Sequence, residues 1–271
     1  MIGQKALLEM IDSQIENNKF PKFSIIVGQK GSGRTTVVNH IHEKFDKGIF
    51  INLGISVNDV REAISQAYGI KGDIVFCVFT NADRMSVSAK NALLKIVEEP
   101  PENVYFIMTL ESVDNTLETL RSRATIYHMN PYSPTEIGEY ASKYKFNSEE
   151  LGIVADVCEV PGEVDALHEY GVIQFDEYVR SVVDYVAEVS GANCFKIADK
   201  IKFKDEDEGY DLKLFFKLFI VECNHRLLED VSKYASGIKV TTKTMQQLNI
   251  NGISKANLFD MWILDIRKEW M

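Results

Sequence analysis

No CxxC pair occurs among the four cysteines of this 271-residue chain, Cys77, Cys158, Cys194 and Cys223. Their spacing offers neither a zinc knuckle nor a dithiol redox couple, and the four read as small core hydrophobes in a reducing compartment. Positive charge is also short: 30 Lys and Arg face 40 Asp and Glu, leaving a formal net charge of −10. Proteins whose main work is neutralising phosphates concentrate Lys and Arg, so this balance argues against a dedicated nucleic-acid binder and leaves room only for a local basic patch. Long apolar runs are missing too. The most apolar stretch, Leu214 to Val221, is broken by Lys217 and followed by Glu222, and the N-terminus has no basic segment leading into an apolar core. Neither membrane spanning nor secretion is expected, and the predicted location is cytoplasmic. No internal repeat is evident, and the only run of charge, Asp205 to Glu208, reads as a solvated loop. What is present is an ordinary globular balance, 45% apolar and 26% charged residues. The length suits one large domain with one or two small ones.

Leu7, Leu8, Ile11 and Ile15 recur at helical spacing before Pro21, after which Phe23-Ser24-Ile25-Ile26-Val27 reads as a short buried strand. Strand-like runs return at 49–53, 74–79, 104–108 and 125–127, with helical stretches near 33–44, 57–67, 88–99 and 116–121 between them. Continuous apolar strands alternating with helices predict an α/β fold, a parallel sheet covered on both faces, over residues 1–130. After Pro131 the strand signals stop. Short helices at 136–143, 148–159 and 162–169, divided by Pro134 and Pro161-Gly162, predict a small helical module over 131–172. From Phe175 the spacing of Val179, Val182, Val183 and Val186 predicts a longer amphipathic helix, followed by others near 192–203, 211–235 and 255–270. Residues 173–271 are thus expected to form an all-helical third domain. Its aromatic residues, Tyr210, Phe215, Phe216, Phe219, Trp262 and Trp270, suit either a core or an oligomerisation face.

The strand ending at Val27 runs into Gly28-Gln29-Lys30-Gly31-Ser32-Gly33-Arg34-Thr35-Thr36, which fits GxxxxGK(S/T) except that Arg34 replaces the lysine. Gly28, Gly31 and Gly33 let backbone N–H groups converge on a phosphate, and the helix opening at Arg34 and Thr35 points its positive end at the same place. A planar guanidinium sits differently from a compact ammonium, so nucleotide binding is impaired, and a plain glycine-rich turn from strand to helix is the competing reading. The apolar strand Ile74 to Phe79 leads into Thr80-Asn81-Ala82-Asp83 rather than into adjacent carboxylates. Neither Thr80 nor Asn81 can hold Mg²⁺ tightly or take a proton from water, as hydrolysis of an outer phosphate requires. Asp83, two positions further on, is expected to cap the turn into the next helix.

More pieces follow in fixed order: Thr80-Asn81-Ala82-Asp83-Arg84-Met85, then Ala89-Lys90-Asn91-Ala92-Leu93-Leu94-Lys95, then Glu98-Glu99-Pro100-Pro101, and Leu120-Arg121-Ser122-Arg123. On these motifs, and on Ile2-Gly3-Gln4 at the start, the chain resembles the clamp-loader branch of the AAA-plus ATPases, most nearly the delta-prime family of bacterial DNA polymerase III. The motifs cover residues 1 to about 170, and the remainder is similar only in its helical character.

The resemblance implies a P-loop, AAA-plus domain with a helical lid and a helical collar domain. It also implies a subunit that belongs to the loader without powering it, as part of the DNA polymerase III holoenzyme. Ser122-Arg123-Ala124 stands where the family has Ser-Arg-Cys, so Arg123 would be presented in trans to the ATP of a neighbouring subunit. From the spacing alone, the favoured reading is that Arg121 and Arg123 satisfy helix-end carbonyls or surface acids, and it is the surrounding motifs that favour the trans role. Gly162-Glu163-Val164-Asp165 occupies the GxxR position of active relatives, with an acid in place of the arginine that touches nucleotide. With Arg34, Thr80-Asn81 and Asp165 all altered, no cofactor is required, and ATP or ADP in the loop stays an open question. The family's four-cysteine zinc module is expected to be absent, because no cysteine lies between Thr36 and Asp73. The implied partners are other loader subunits, of the ATPase and delta types, in a hetero-oligomer. The sliding clamp and primed DNA are reached through that complex. Lys90 and Lys95, on the Ala89 to Glu99 helix, are the candidates for contact with DNA phosphate. Two other functions remain open: an autonomous ATPase with a variant phosphate loop, and a purely structural adaptor.

Overall fold

The computed structural model describes residues 2–45, 48–70, 72–188, 191–204, 207–248, 250 and 252–271. The chain divides into two compact units, Met1–Glu136 with Val160–Gly162, and Ile137–Glu159 with Glu163–Met271. Asp205 and Glu206 of the expected charged loop, and the side chain of Cys194, lie outside the described residues.

The first unit is built on five parallel strands, β1 (Phe23–Val27), β2 (Ile49–Leu53), β3 (Val75–Phe79), β4 (Val104–Leu110) and β5 (Thr125–His128), in the order β2-β3-β4-β1-β5. The alternation of side chains along a strand divides the core in two. Ile25, Val27, Val75, Cys77, Phe79, Phe106 and Met108 face one side, where they meet Val60 of α3 (Val57–Gly69) and Ala89, Leu93, Ile96 and Val97 of α4 (Val87–Glu98). Ile26, Phe76, Val78, Ile107 and Tyr127 face the other, against Leu7 and Ile11 of α1 (Lys5–Glu16) and Val37, Val38 and Ile41 of α2 (Arg34–Lys44). Because β1, β3 and most of β4 are buried on both faces, their sequences are almost wholly apolar, interrupted only by Ser24 in β1 and Thr109 in β4. A short helix, α5 (Glu118–Arg121), precedes β5 and is anchored by the fully buried Leu120.

The helices α6 (Pro134–Ala141), α7 (Ser148–Val157) and α8 (Pro161–Tyr170) fall within a residue or two of the expected module. Beyond them come α9 (Val172–Glu188), a 3-10 segment at Gly191–Lys200, a two-strand ladder of β6 (Ile201–Lys202) and β7 (Tyr210–Asp211), and α10 (Leu212–His225). The last helices are α11 (Val231–Gln247) and α12 (Lys255–Trp270). Two sequence expectations need correction here. Residues 191–200 form a 3-10 turn sequence rather than an α-helix, and the helix expected over 211–235 is two helices, broken after His225 and restarted by Asp230, whose side chain caps Lys233 N–H. The second half of α11 escaped the pattern because its buried positions are Tyr234, Gly237, Thr241 and Thr244, which carry no apolar periodicity. Phe215, Phe216, Phe219 and Trp262 are fully buried, so these aromatics form a core. Among the described residues no helix is long and apolar enough to cross a membrane.

Candidate functional site

The glycine-rich loop leaves β1 at the carboxyl edge of the sheet, where open α/β folds place their ligands. Gly31 (φ 83°) and Gly33 (φ 93°) take left-handed conformations that L side chains rarely adopt, and Gly33 opens α2 with no side-chain cap. Thr35 and Thr36 are exposed on the first turn of that helix. The loop therefore keeps the backbone form of an anion cradle. Its carbonyls are held from outside: Gly162 N–H donates to Gly31 O at 2.9 Å, and the Tyr132 hydroxyl donates to Ser32 O at 2.7 Å. A Cβ built on Gly28 would meet Ser32 Oγ at 2.6 Å and Met129 Cβ at 3.0 Å, so the base of the loop has no room for a side chain. Gln4 closes the edge beside it, exchanging hydrogen bonds of 2.7 and 2.8 Å with the backbone of Asn130.

Arg34 points back into the protein. Its side chain is only 7% exposed, Nη2 donates to Asn81 Oδ1 at 3.2 Å, and its two terminal nitrogens lie 3.9 Å from Asp83 Oδ2 and Glu111 Oε1. Among the described residues, Nη1 has no hydrogen-bond partner. Burial pushes the guanidinium's pKa down, and the nearby Glu111 and Asp83 carboxylates push it back up. Thr80, half-buried at the end of β3, and Asn81, in a left-handed conformation (φ 51°), stand where the adjacent carboxylates of a metal-binding strand end are lacking.

Asp83 does not cap its own turn as expected. Both its oxygens accept from Glu111 N–H at 2.9 Å, and Oδ1 accepts from Asn115 Nδ2 at 3.0 Å, tying the segment after β3 to the segment after β4. The physical reason is reach, since parallel neighbours β3 and β4 end side by side and the Glu111 amide is directed at the carboxylate. With Asp83 engaged this way and no carboxylate at positions 80 and 81, these residues do not fit a magnesium nucleotide. Among the described residues, no three His, Cys, Asp or Glu side chains group as metal ligands.

Two other residues singled out from sequence are engaged within the chain. Lys90 is buried, with its ammonium donating to the Asn115 backbone carbonyl and its pKa pushed down by burial against the raising effect of Asp83. It is therefore withdrawn as a candidate for DNA contact, while Lys95 stays exposed. Asp165 is occupied as well, accepting from the Tyr140 hydroxyl at 2.9 Å, Lys143 Nζ at 2.7 Å and the Tyr144 hydroxyl at 2.8 Å. Burial acts to raise its pKa, but those three donors outweigh it and hold the carboxyl below the usual aspartate value.

Arg123, just beyond α5, is exposed. Its Nη2 lies 2.7 Å from Glu98 Oε1 at the end of α4, and Nη1 donates to the Thr119 carbonyl at 2.9 Å. Arg121 pairs separately with Asp114 at 3.4 Å. The structure thus gathers Gly28, Gly31, Gly33, Arg34 and Thr35 with Asn81, Asp83 and Glu111 at the sheet's carboxyl edge, and gives Arg123 different neighbours. Glu111 was not singled out from sequence, and Glu98 was named only within the Glu98-Glu99-Pro100-Pro101 motif, with no role of its own. An acid immediately after an apolar strand, as Glu111 is, was the available signal.

A family model described as DNA polymerase III, delta subunit, matches residues 40–133. The DNA polymerase III subunit gamma of Buchnera aphidicola (subsp. Schizaphis graminum) is 25% identical over 191 residues, 58% of this chain and 53% of its own length. The DNA polymerase III subunit delta-prime of Escherichia coli K12 is 35% identical over 80 residues, 29% of this chain and 24% of its own. The chain thus spans about half the length of the first relative and a quarter of the second. Among solved structures, a RuvB variant from Thermotoga maritima superposes with a TM-score of 0.51 at 12% identity, covering 96% of this chain and 88% of that one. That likeness carries the fold alone, a five-stranded parallel sheet with flanking helices followed by a helical C-terminal region. Over residues 40–133 the chain is similar to the DNA polymerase III delta-subunit family, and its relatives include gamma and delta-prime subunits of that polymerase.

Proposed function

We propose that the chain acts in DNA replication as a non-hydrolysing, delta-prime-like clamp-loader subunit, a stator that supplies Arg123 to ATP bound by a neighbouring subunit. The observation that carries this reading is the contrast between two arginines. Arg34, in the chain's own phosphate loop, is buried among Asn81, Asp83 and Glu111, whereas Arg123, in the Leu-Arg-Ser-Arg motif, is exposed and held only by surface contacts. An arginine offered in trans stabilises charge developing on a transferring phosphoryl group and is worth about 10³ to 10⁵ in rate. The same contrast supports a loop that needs no nucleotide of its own for this role. Residues 131–172 then serve as a lid and 173–271 as a collar, in a cytoplasmic hetero-oligomer with ATPase-type and delta-type subunits. The sliding clamp and primed DNA are engaged through that assembly.

The test has two parts. The isolated chain is expected to show no ATP turnover with Mg²⁺, with or without primed DNA, and turnover abolished by Arg34→Ala would instead make it an ATPase in its own right. In the reconstituted loader, Arg123→Ala is expected to leave folding intact and to lower turnover at the site that Arg123 faces. Unchanged turnover would leave only the structural adaptor.

A further inference from the structure

Glu98 ends α4, and the sequence fixes it there: Pro100 and Pro101 follow at once and cannot continue the helix, while Ala89, Leu93, Ile96 and Val97 bury the face behind it. Arg123 is equally well seated, one turn beyond Leu120, which is fully buried in the same core cluster. Two rigid shoulders therefore set the distance between carboxylate and guanidinium, and Oε1 and Nη2 meet at 2.7 Å. A second attraction comes from the end of α5, where the Thr119 carbonyl accepts from Nη1 at 2.9 Å. Arg121, two residues earlier, takes a different acid, Asp114. Glu98 is thus the carboxylate assigned to Arg123. The pair is half-open to water, with side-chain exposures of 37% for Arg123 and 49% for Glu98, so it is weak and breaks readily.

We infer that Glu98 is a releasable restraint on Arg123, a positioning residue that holds the guanidinium in the unassembled chain and gives it up when a nucleoside triphosphate on a neighbouring subunit arrives. The inference rests on the trans role proposed for Arg123. Carboxylate and phosphate are both anions seeking the same cation, and side by side they repel. Engagement of the phosphate therefore breaks the Glu98 pair, and the Thr119 carbonyl, which is neutral, keeps the guanidinium near its position. Glu98 then raises the concentration of ATP needed at the neighbouring site without taking part in the transfer.

Two measurements separate this inference from the reading beneath it. In the isolated full chain, nuclear magnetic resonance of ¹⁵N-labelled arginine reads the guanidinium directly: Glu98→Gln is expected to speed rotation of the Arg123 side chain, and an unchanged rate overturns the restraint. In the reconstituted loader, Glu98→Gln is expected to lower the KM for ATP by about two- to fivefold, the size of an exposed ion pair, with kcat unchanged. The same substitution in an Arg123→Ala background is expected to do nothing further. If Arg123→Ala leaves turnover unaltered, the trans role itself fails, whatever the resonance experiment shows. If Arg123→Ala lowers turnover while Glu98→Gln leaves KM unchanged, the restraint fails and the trans role stands. A fall in kcat for Glu98→Gln as large as that for Arg123→Ala would make Glu98 a support of the reacting geometry and would also overturn the restraint.

Discussion

Gly162 N–H donates to the carbonyl of Gly31 at 2.9 Å, and the two glycines touch backbone to backbone, so that a Cβ on Gly162 would lie 2.5 Å from Gly31 Cα. The first residues of α8 thus sit directly on the phosphate loop, and a contact that a bound ligand might be thought to provide is made by the chain itself. Neither glycine can be replaced without moving main chain.

The first prediction follows from that approach. Gly162→Ala in a helix is ordinarily favourable by about 1 kcal/mol, but here the new methyl meets backbone, which cannot swing aside. The expected net change is a loss of about 1–3 kcal/mol. Gly152→Ala supplies the control, since α7 leaves open space around Gly152 and the substitution is expected to gain about 0.5–1 kcal/mol. Thermal unfolding of the two variants should shift in opposite directions.

Arg34 gives the second. Arg34→Met keeps the stem and removes the charge, leaving Asp83 and Glu111 facing one another across the site without their cation. Breaking a buried ionic group by deleting one partner costs about 3–5 kcal/mol, and the 3.9 Å spacing of both pairs places this case at the lower end. Urea denaturation is the measurement, with the midpoint falling and the slope unchanged. Arg34→Lys is expected to recover part of the loss, because an ammonium keeps the charge but cannot span Asn81 and both acids at once.

How far the sequence carried these features depended on what each residue signals. The central strands were legible because burial on both faces leaves runs such as Val75 to Phe79 with no polar residue at all. The phosphate loop was legible from its glycines, and Arg34 from its position within them. The second half of α11 was not, because its buried stripe is made of small and hydroxylated side chains. The direction of Arg34, the tie from Asp83 to the Glu111 amide, and the withdrawal of Lys90 from the surface were also hidden. Each depends on segments distant in sequence lying side by side in the fold, a relation that spacing along one chain segment does not encode. Glu98 as the partner of Arg123 was hidden for the same reason, being 25 positions away in sequence and adjacent only once α4 and α5 are docked.

The third prediction concerns acid. Glu163, in the first turn of α8, is buried with Lys217 Nζ at 2.9 Å and Lys213 Nζ at 3.2 Å. Burial acts to raise its pKa, yet the two ammonium groups, with the Glu159 N–H, overcome it and hold the carboxyl below the ordinary value of 4.5. A depressed folded-state pKa means that the stabilisation is whole above about pH 4.5 and is lost as pH falls from there through the folded value. Glu163→Gln should therefore lower stability at pH 7 and flatten its fall below about pH 4.5. Lys217→Met, which leaves the buried carboxylate to Lys213 and the Glu159 N–H, is expected to cost about 1–3 kcal/mol at pH 7, and adding Glu163→Gln to it should restore part of that. Urea midpoints across the pH range read all three.

The last prediction turns on one hydroxyl in the helical core. Thr241, fully buried on α11, donates from Oγ1 to the Gly237 carbonyl at 2.8 Å and accepts from Trp262 Nε1 at 2.9 Å. Valine matches threonine in shape, so Thr241→Val disturbs packing very little, but it leaves the indole N–H of a fully buried tryptophan without its acceptor. That omission costs about 1–3 kcal/mol. Thr241→Ser makes the opposite exchange, keeping the hydroxyl and losing one methyl, for about 1 kcal/mol. The expected order of stability is threonine, then serine, then valine, so the better volume match is the worse substitution. Denaturation followed by tryptophan fluorescence tests the order and reports on the same indole. A reversed order would mean that water reaches Trp262 Nε1 in the valine variant, and that the core around α11 and α12 is looser than its aromatic packing indicates.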